Sequence, residues 1–325
     1  QYLFYSHEEG LTMKTNVIQA VKENIERVLI GKSHVIDLVL TSLIAEGHVL
    51  LEDVPGTGKT VLAKSLARSV QADFSRIQFT PDLLPSDVTG LNYFNQKEGD
   101  FVFKSGPAFC NILLADEINR ATPRTQSSLL ECMEEKQITV DGVTRRLEEP
   151  FFVIATQNPL ETSGTFPLPE AQLDRFFMQL SMGLPTPEEE LAIMDRFITD
   201  QPLEHLEAVC RKEDLLELQK AYKSIFVHPV LRTYMVSIVQ ATRRNSNIVS
   251  GVSPRGTLAF LRAVQAYAMI QGRDYAVPED VKAVAVPVLA HRLILSRSVG
   301  NMSHSNDAIL SILDEIPVPT ENWNA

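Results

Sequence analysis

Residues Leu50-Leu51-Glu52-Asp53-Val54-Pro55-Gly56-Thr57-Gly58-Lys59-Thr60 decide how the rest of this chain is read. The apolar run Val49-Leu50-Leu51 predicts a buried parallel strand. After a Gly/Pro turn, Thr60-Val61-Leu62-Ala63-Lys64-Ser65-Leu66-Ala67 predicts a helix. Strand, glycine loop and helix in that order form the context of a phosphate-binding loop. Gly56 and Gly58 let the backbone bend so that successive N–H groups point into one concavity, which anions favour. Lys59 is then expected to reach the β- and γ-phosphates of a nucleotide, and the Thr60 hydroxyl to ligate Mg2+. One position departs from the pattern, because Asp53 stands where the loop ordinarily begins with Gly. Asp tolerates left-handed turns better than most residues, so the turn survives, with its charge expected to point away from the phosphates.

Working outward from this loop, the apolar strand Asn111-Ile112-Leu113-Leu114-Ala115 ends in Asp116-Glu117. In open α/β sheets ligands bind outside the carboxyl ends of the strands. An Asp there can hold Mg2+, directly or through water, and a neighbouring Glu can accept a proton from an attacking water. Asn158, in Ala155-Thr156-Gln157-Asn158-Pro159, also follows a buried strand, and its amide can donate to a phosphate while accepting from water. Two arginines join this set. Arg175 lies just before the strand Phe177 to Leu180, and Arg255 begins a helix after Gly251-Val252-Ser253-Pro254. A guanidinium spreads its charge over a planar fork that suits a phosphoryl transition state.

The remaining pattern orders these pieces. Helices are expected at Asn16 to Leu29, Ser33 to Glu46 and Pro123 to Lys136, with a further strand at Phe74 to Phe79 and another at Phe151 to Thr156. Hairpins are expected at Tyr93 to Phe103 and at Gln137 to Leu147, the second turning at Asp141-Gly142 in a type I′ turn. Strands alternating with helices predict a doubly wound α/β domain. After Leu184-Pro185-Thr186-Pro187 the buried-strand runs stop. Helices are expected at Glu188 to Thr199, Lys212 to Ile225, Val230 to Arg243, Pro254 to Ile270 and Pro278 to Leu293, the last kinked by Pro287. The expected division is a loose leader at 1–12, a nucleotide-binding α/β domain at 13–185 and an all-α domain at 186–325. The tail from Ser296 to Ala325 is rich in Ser, Asn and Pro and is expected to be partly mobile.

Composition narrows the function classes. The 325 residues carry a formal net charge of -11, which argues against a general nucleic-acid or membrane-surface binder. Cys110, Cys132 and Cys210 are too few and too scattered for a disulfide framework or a metal site, and the seven histidines have no ligand spacing. No apolar run reaches the ~18 residues of a membrane span, and no signal peptide is visible. A protein of a reducing compartment, the cytoplasm, is expected.

Together these motifs resemble the AAA+ ATPases, and specifically the MoxR family. The resemblance is carried by LLEDVPGTGKT, LLADEINRATPRTQSSLLECMEE, QITVDG, ATQNPLE followed by GTFPLPEAQLDRF, and GVSPRGTLAF, running from about Ile30 to Ala259. It implies a P-loop NTPase core with a parallel five-stranded sheet and a smaller all-α lid. It implies a Walker A nucleotide-binding set of Pro55, Gly56, Thr57, Gly58, Lys59, Thr60 and Val61, and a Walker B pair of Asp116 and Glu117. Thr60 and Asp116 would hold Mg2+, partly through water. Asn158 matches sensor 1, Arg175 the arginine finger and Arg255 sensor 2, the last expected to contact the γ-phosphate bound by the first domain. The two hairpins match family inserts, and acidic residues occur in the Asp53 slot. By the same resemblance the active state is a hexameric ring that hydrolyses MgATP. It would drive chaperone-like remodelling or maturation of a client protein or metalloenzyme, often with a von Willebrand A-domain partner. A Mg-chelatase-type ATPase subunit shares most of these motifs. A DNA-processing AAA+ enzyme, and a nucleotide-gated scaffold that binds without turnover, are the other readings.

Overall fold

A computed structural model describes residues 15–159, 164–199, 201–296 and 302–319. The leader at 1–12 lies outside them, as do residues 297–301 and 320–325 of the tail. Helices α1 (15–26) and α2 (Ser33–Ile44) precede β1 (Val49–Glu52), α3 (Lys59–Ser69) and β2 (Phe74–Gln78). A short α4 (Pro85–Thr89) follows and leads into the hairpin β3 (Gly90–Asn95) and β4 (Asp100–Ser105). Then follow β5 (Ile112–Asp116), α5 (Pro123–Glu135), the hairpin β6 (Gln137–Val140) and β7 (Val143–Arg146), β8 (Phe152–Gln157), α6 (Glu170–Leu173) and β9 (Met178–Leu180).

Strands β2, β5, β8, β1 and β9 form, in that order, one parallel five-stranded sheet. The central strands β1, β5 and β8 are apolar runs because both faces are covered, whereas the edge strand β2 carries Ser75, Arg76 and Gln78 and is partly exposed. Side chains alternate between the faces. Val49 and Leu51 of β1 enter one buried cluster and Leu50 the other. The Leu50 side packs on Leu129, Leu130 and Met133 of α5. Asp141 and Gly142 both have positive φ (50° and 77°), as a type I′ turn requires. The two hairpins meet where Asn92 Nδ2 donates to Asp141 Oδ2 at 2.7 Å and Arg145 lies 3.9 Å from the centre of the Phe103 ring.

The second half is helical: α7 (Pro187–Thr199), α8 (Lys212–Ala221), α9 (Pro229–Arg244), α10 (Pro254–Ile270), α11 (Pro278–Leu289) and α12 (Met302–Glu315). One feature differs from expectation. Strands β10 (Ile248–Ser250) and β11 (Ile294–Leu295) pair as a small antiparallel ribbon within this region. The tail contains α12, which buries Ile309, Ile312 and Leu313. Pro287 lies inside α11, close to its C-terminal end, where it cannot donate to the Ala283 carbonyl, and the chain tightens into a 3₁₀ turn at Ala290–Arg292.

One apolar cluster runs without a break from Ile25 and Leu43, through Leu51 and Phe177, to Leu231, Phe260, Val284 and Ile309. The C-terminal helices therefore rest on α2 and the β9 edge of the sheet. That packing decides where Arg255 sits.

Candidate functional site

The register of the sheet brings the chemistry together. Glu52 of β1 stands opposite Gln157 of β8, and Gln78 of β2 opposite Asp116 of β5. The carboxyl ends of four strands thus open into one cleft of about 430 Å³. The phosphate loop contributes Pro55, Gly56, Gly58, Lys59, Thr60 and Val61. The strand ends contribute Asp116, Glu117 and Asn158 together with Arg76, Gln78 and Thr156.

The loop holds its shape through the predicted devices. Gly56 and Gly58 adopt φ of 86° and 94°, the left-handed region that side chains rarely enter. Gly58 caps α3, so the N-terminus of that helix faces the cleft. Lys59 Nζ bridges the loop, donating to the carbonyl oxygens of Asp53 at 2.8 Å and Val54 at 3.3 Å. Asp53 does turn its carboxylate away. It accepts from Ser181 Oγ at 2.7 Å and from the backbone N–H groups of Met182 at 2.6 Å and Gly183 at 3.1 Å. It thereby ties the start of the loop to the exit of β9. Thr57 is buried, donates to the Val54 carbonyl at 3.4 Å and is not among the residues lining the cleft.

The acids at the end of β5 are held from both sides. The Thr156 hydroxyl donates to Asp116 Oδ1 at 2.6 Å and accepts from the Glu117 N–H at 2.9 Å. Asp116 Oδ2 pairs with Arg76 at 2.7 Å. Glu117 has a left-handed backbone (φ 55°, ψ 51°), a conformation that costs a non-glycine residue and recurs at functional sites. Its carboxylate accepts from Gln78 Nε2 at 2.8 Å and pairs with Arg120 at 2.9 Å, and so stays in the cleft instead of following the strand direction. Asn158 is buried beside it. Sequence reading missed Arg76, Gln78 and Thr156. The available signal was their place at or near the polar carboxyl ends of β2 and β8, where in-register neighbours of Asp116 must lie.

Arg175 and Arg255 are elsewhere. They meet at Glu134, in the last turn of α5. Arg175 Nη1 lies 3.3 Å from Glu134 Oε2, and Arg255 Nη2 pairs with Glu134 Oε1. The Arg255 hydrogen bond holds the Glu134 carboxyl below its ordinary range. Both arginines line a cavity of about 440 Å³ distinct from the cleft. The contact expected from Arg255 to a phosphate held by its own chain is thus not prepared by this geometry. Arg255 is the second residue of α10, capped by Ser253 Oγ accepting from the Gly256 N–H at 3.1 Å. Since α10 is packed on α2, that helix start points at α5. The segment bearing Arg175 is pinned by the buried Arg292, which donates to Asp174 Oδ1 at 2.7 Å and to the Phe176 carbonyl at 2.7 Å. Burial lowers the Arg292 pKa to about 10, still charged at neutral pH. The three cysteines are buried and their thiols pushed up to about 12, so none is poised as a nucleophile.

Comparison with known proteins agrees with this architecture. The ATPase family associated with various cellular activities (AAA) matches residues 48–178, and the AAA lid domain matches residues 240–312. Fold and matches together make the chain a member of the AAA ATPases. Among its relatives are the chaperone MoxR1 of Mycobacterium tuberculosis, 39% identical over 97% of this chain and 85% of that one, and the protein MoxR of Paracoccus denitrificans, 33% identical over 83% and 86%. The chain belongs to the MoxR family. The uncharacterized protein YeaC of Bacillus subtilis is 49% identical over 92% of this chain and 94% of its own length. A crystal structure from Cytophaga hutchinsonii, described provisionally as that of an ATPase, superposes with a TM-score of 0.90. It is 38% identical and covers 98% of this chain and 100% of the other. No helix among the described residues is long and apolar enough to cross a membrane.

Proposed function

We propose that this chain binds and hydrolyses MgATP and uses the cycle to remodel a client protein, as a cytoplasmic ring of identical subunits. The observation that carries the proposal is the convergence of Lys59, Thr60, Asp116, Glu117 and Asn158 on one cleft. The Lys59 amine, now on two loop carbonyls, is within reach of a β- or γ-phosphate seated on the α3 N-terminus. The oxygen donors of Thr60 and Asp116 suit a hard cation such as Mg2+, which would neutralise charge on the β- and γ-phosphates. Arg76 shares Asp116 with that role and must yield or share its oxygen. Glu117 is held by Gln78 and Arg120 as an acceptor for the proton of an attacking water, which the Asn158 amide orients.

Because Arg175 and Arg255 both lie outside the cleft of their own chain, we infer that both serve the nucleotide of a neighbouring copy. A hexamer, a von Willebrand A-domain partner and maturation of a metalloenzyme follow from family resemblance. The chaperone role is supported by the name of the mycobacterial relative.

The test is hydrolysis by the wild type and by Glu117→Gln. The variant is expected to bind ATP as tightly and to lose about 10²- to 10⁴-fold in turnover. Single-turnover hydrolysis at the wild-type rate would assign the base to another residue. Trapped Glu117→Gln with ATP would then serve to capture the client.

A further inference from the structure

The cavity where Arg175 and Arg255 meet contains other cations, and each of those has other partners. Lys136 pairs with Glu46 at 3.0 Å, a carboxylate it shares with Lys223, and with Glu149 at 3.4 Å, while Arg292 pairs with Asp174 at 2.7 Å. Arg262 donates to the Ala45 carbonyl and lies 5.3 Å from the centre of the Phe177 ring. Arg175 and Arg255 differ from these because both line the cavity and both pair with the same carboxylate. Each takes a different oxygen of Glu134, so two guanidinium groups stand against one acid. The triad keeps a net positive charge on a chain whose overall charge is -11. It is also open to solvent, with Arg255 about half exposed (55%) and Arg175 and Glu134 each at 33%.

We propose that Glu134 is a resting counter-ion which the γ-phosphate of a neighbouring copy's ATP displaces, taking both guanidinium groups at once. This rests on the reading that both arginines serve a neighbour's nucleotide. A terminal phosphate carries more charge than a carboxylate and offers three oxygens, enough to face two planar forks. Glu134 holds the two groups side by side in the single chain and offsets their mutual repulsion. It gives them up only to a stronger anion. ADP has no terminal phosphate at that place and leaves the arginines on Glu134. Ring assembly is then linked to nucleotide state by exchange of anions, and the exchange has a cost that one side chain sets. A carboxylate that merely ties α5 to α10 would carry no such link.

The experiment measures assembly by sedimentation velocity in the Glu117→Gln background, with MgATP or MgADP, over a range of protein concentration. Adding Glu134→Gln removes the competing anion. The concentration for half assembly in MgATP is expected to fall about three- to tenfold, since each exposed pair of this kind is worth a factor of up to about five. The shift in MgADP is expected to be smaller. An unchanged or raised value in MgATP, or equal shifts with both nucleotides, overturns the exchange. Arg175→Ala/Arg255→Ala in the same background separates the two layers of argument. If it assembles like its parent, the interface reading fails and the exchange with it. If it assembles poorly while Glu134→Gln changes nothing, the interface reading stands and Glu134 is only a structural tie.

Discussion

The phosphate cleft and the arginine triad lie on the same chain, yet they are built in opposite ways. The cleft draws its groups from loops that directly follow sheet strands, so a few consecutive residues carry each part. Hydrogen bonds between adjacent strands then align the parts, as Gln78, Asp116 and Thr156 demonstrate. The triad takes one residue from α5, one from the segment before β9 and one from α10. Arg255 and Glu134 are 121 positions apart. Its geometry therefore depends on how the helical half docks on α2. The lesson is that chemistry supplied by a local motif belongs to the chain itself, whereas chemistry supplied by docking can be offered to a neighbour.

The largest expected effect tests the local side of this comparison. Lys59→Ala should abolish ATP binding in isothermal titration, since no other ammonium lines the cleft among the described residues. Unchanged affinity would remove the phosphate loop from the argument. Arg175→Ala tests the docked side. It should leave ATP affinity intact and lower turnover by about 10³-fold or more, the scale of an arginine supplied in trans. Mixing Lys59→Ala with Arg175→Ala should restore part of the activity. At some mixed interfaces a chain with an intact loop then faces a neighbour with an intact arginine. If mixtures stay as inactive as either variant, both residues act within one chain.

The next effect is on stability and concerns the frame beneath the triad. His48 is fully buried, accepts from the Val153 N–H at 3.0 Å and lies 3.0 Å from the Met133 carbonyl. Burial lowers its pKa to about 4, below the ordinary 6.5, and burial likewise pushes His291 well down. The folded chain thus keeps these rings neutral while the unfolded chain protonates them. Their contribution is full above pH about 6.5 and is lost as pH falls toward about 4. For His48 it is on the order of 3 kcal/mol. Urea unfolding at pH 7.5 and pH 5 should differ accordingly, and His48→Gln should flatten that difference. An equal pH slope in the variant would place the dependence elsewhere.

The smallest effect sharpens the departure from the loop pattern. Asp53→Gly would restore the residue with which such loops ordinarily begin, but it would also delete three hydrogen bonds to the exit of β9. A loss of about 1.5–3 kcal/mol is expected, the range for a hydrogen bond to a charged group. A shift in the urea midpoint reads it. A neutral or stabilising result would mean that the tie is dispensable.

How far the sequence reached differs by kind of signal. Buried parallel strands are continuous apolar runs and phosphate loops are glycine turns between strand and helix, so β1, β5, β8 and the cleft residues Lys59, Asp116, Glu117 and Asn158 were legible. The tail helix α12 was legible in principle, because Ile309, Ile312, Leu313 and Ile316 repeat at helical spacing. Its polar Ser/Asn surroundings masked that period. Ribbon β10–β11 was not legible, and Arg76 and Gln78 showed only as polar residues near the end of β2, because their meaning comes from the strand or acid set beside them.

The sequence alone determined which motif residues gather in the cleft and the class of fold, since periodicity and turn chemistry act over a few residues and leave their pattern in the order of the chain. Tertiary structure alone decided that Arg255 stands with Arg175 on Glu134 and away from its own cleft. That placement follows from the apolar cluster that fixes α10 on α2, a long-range packing choice that no local spacing records.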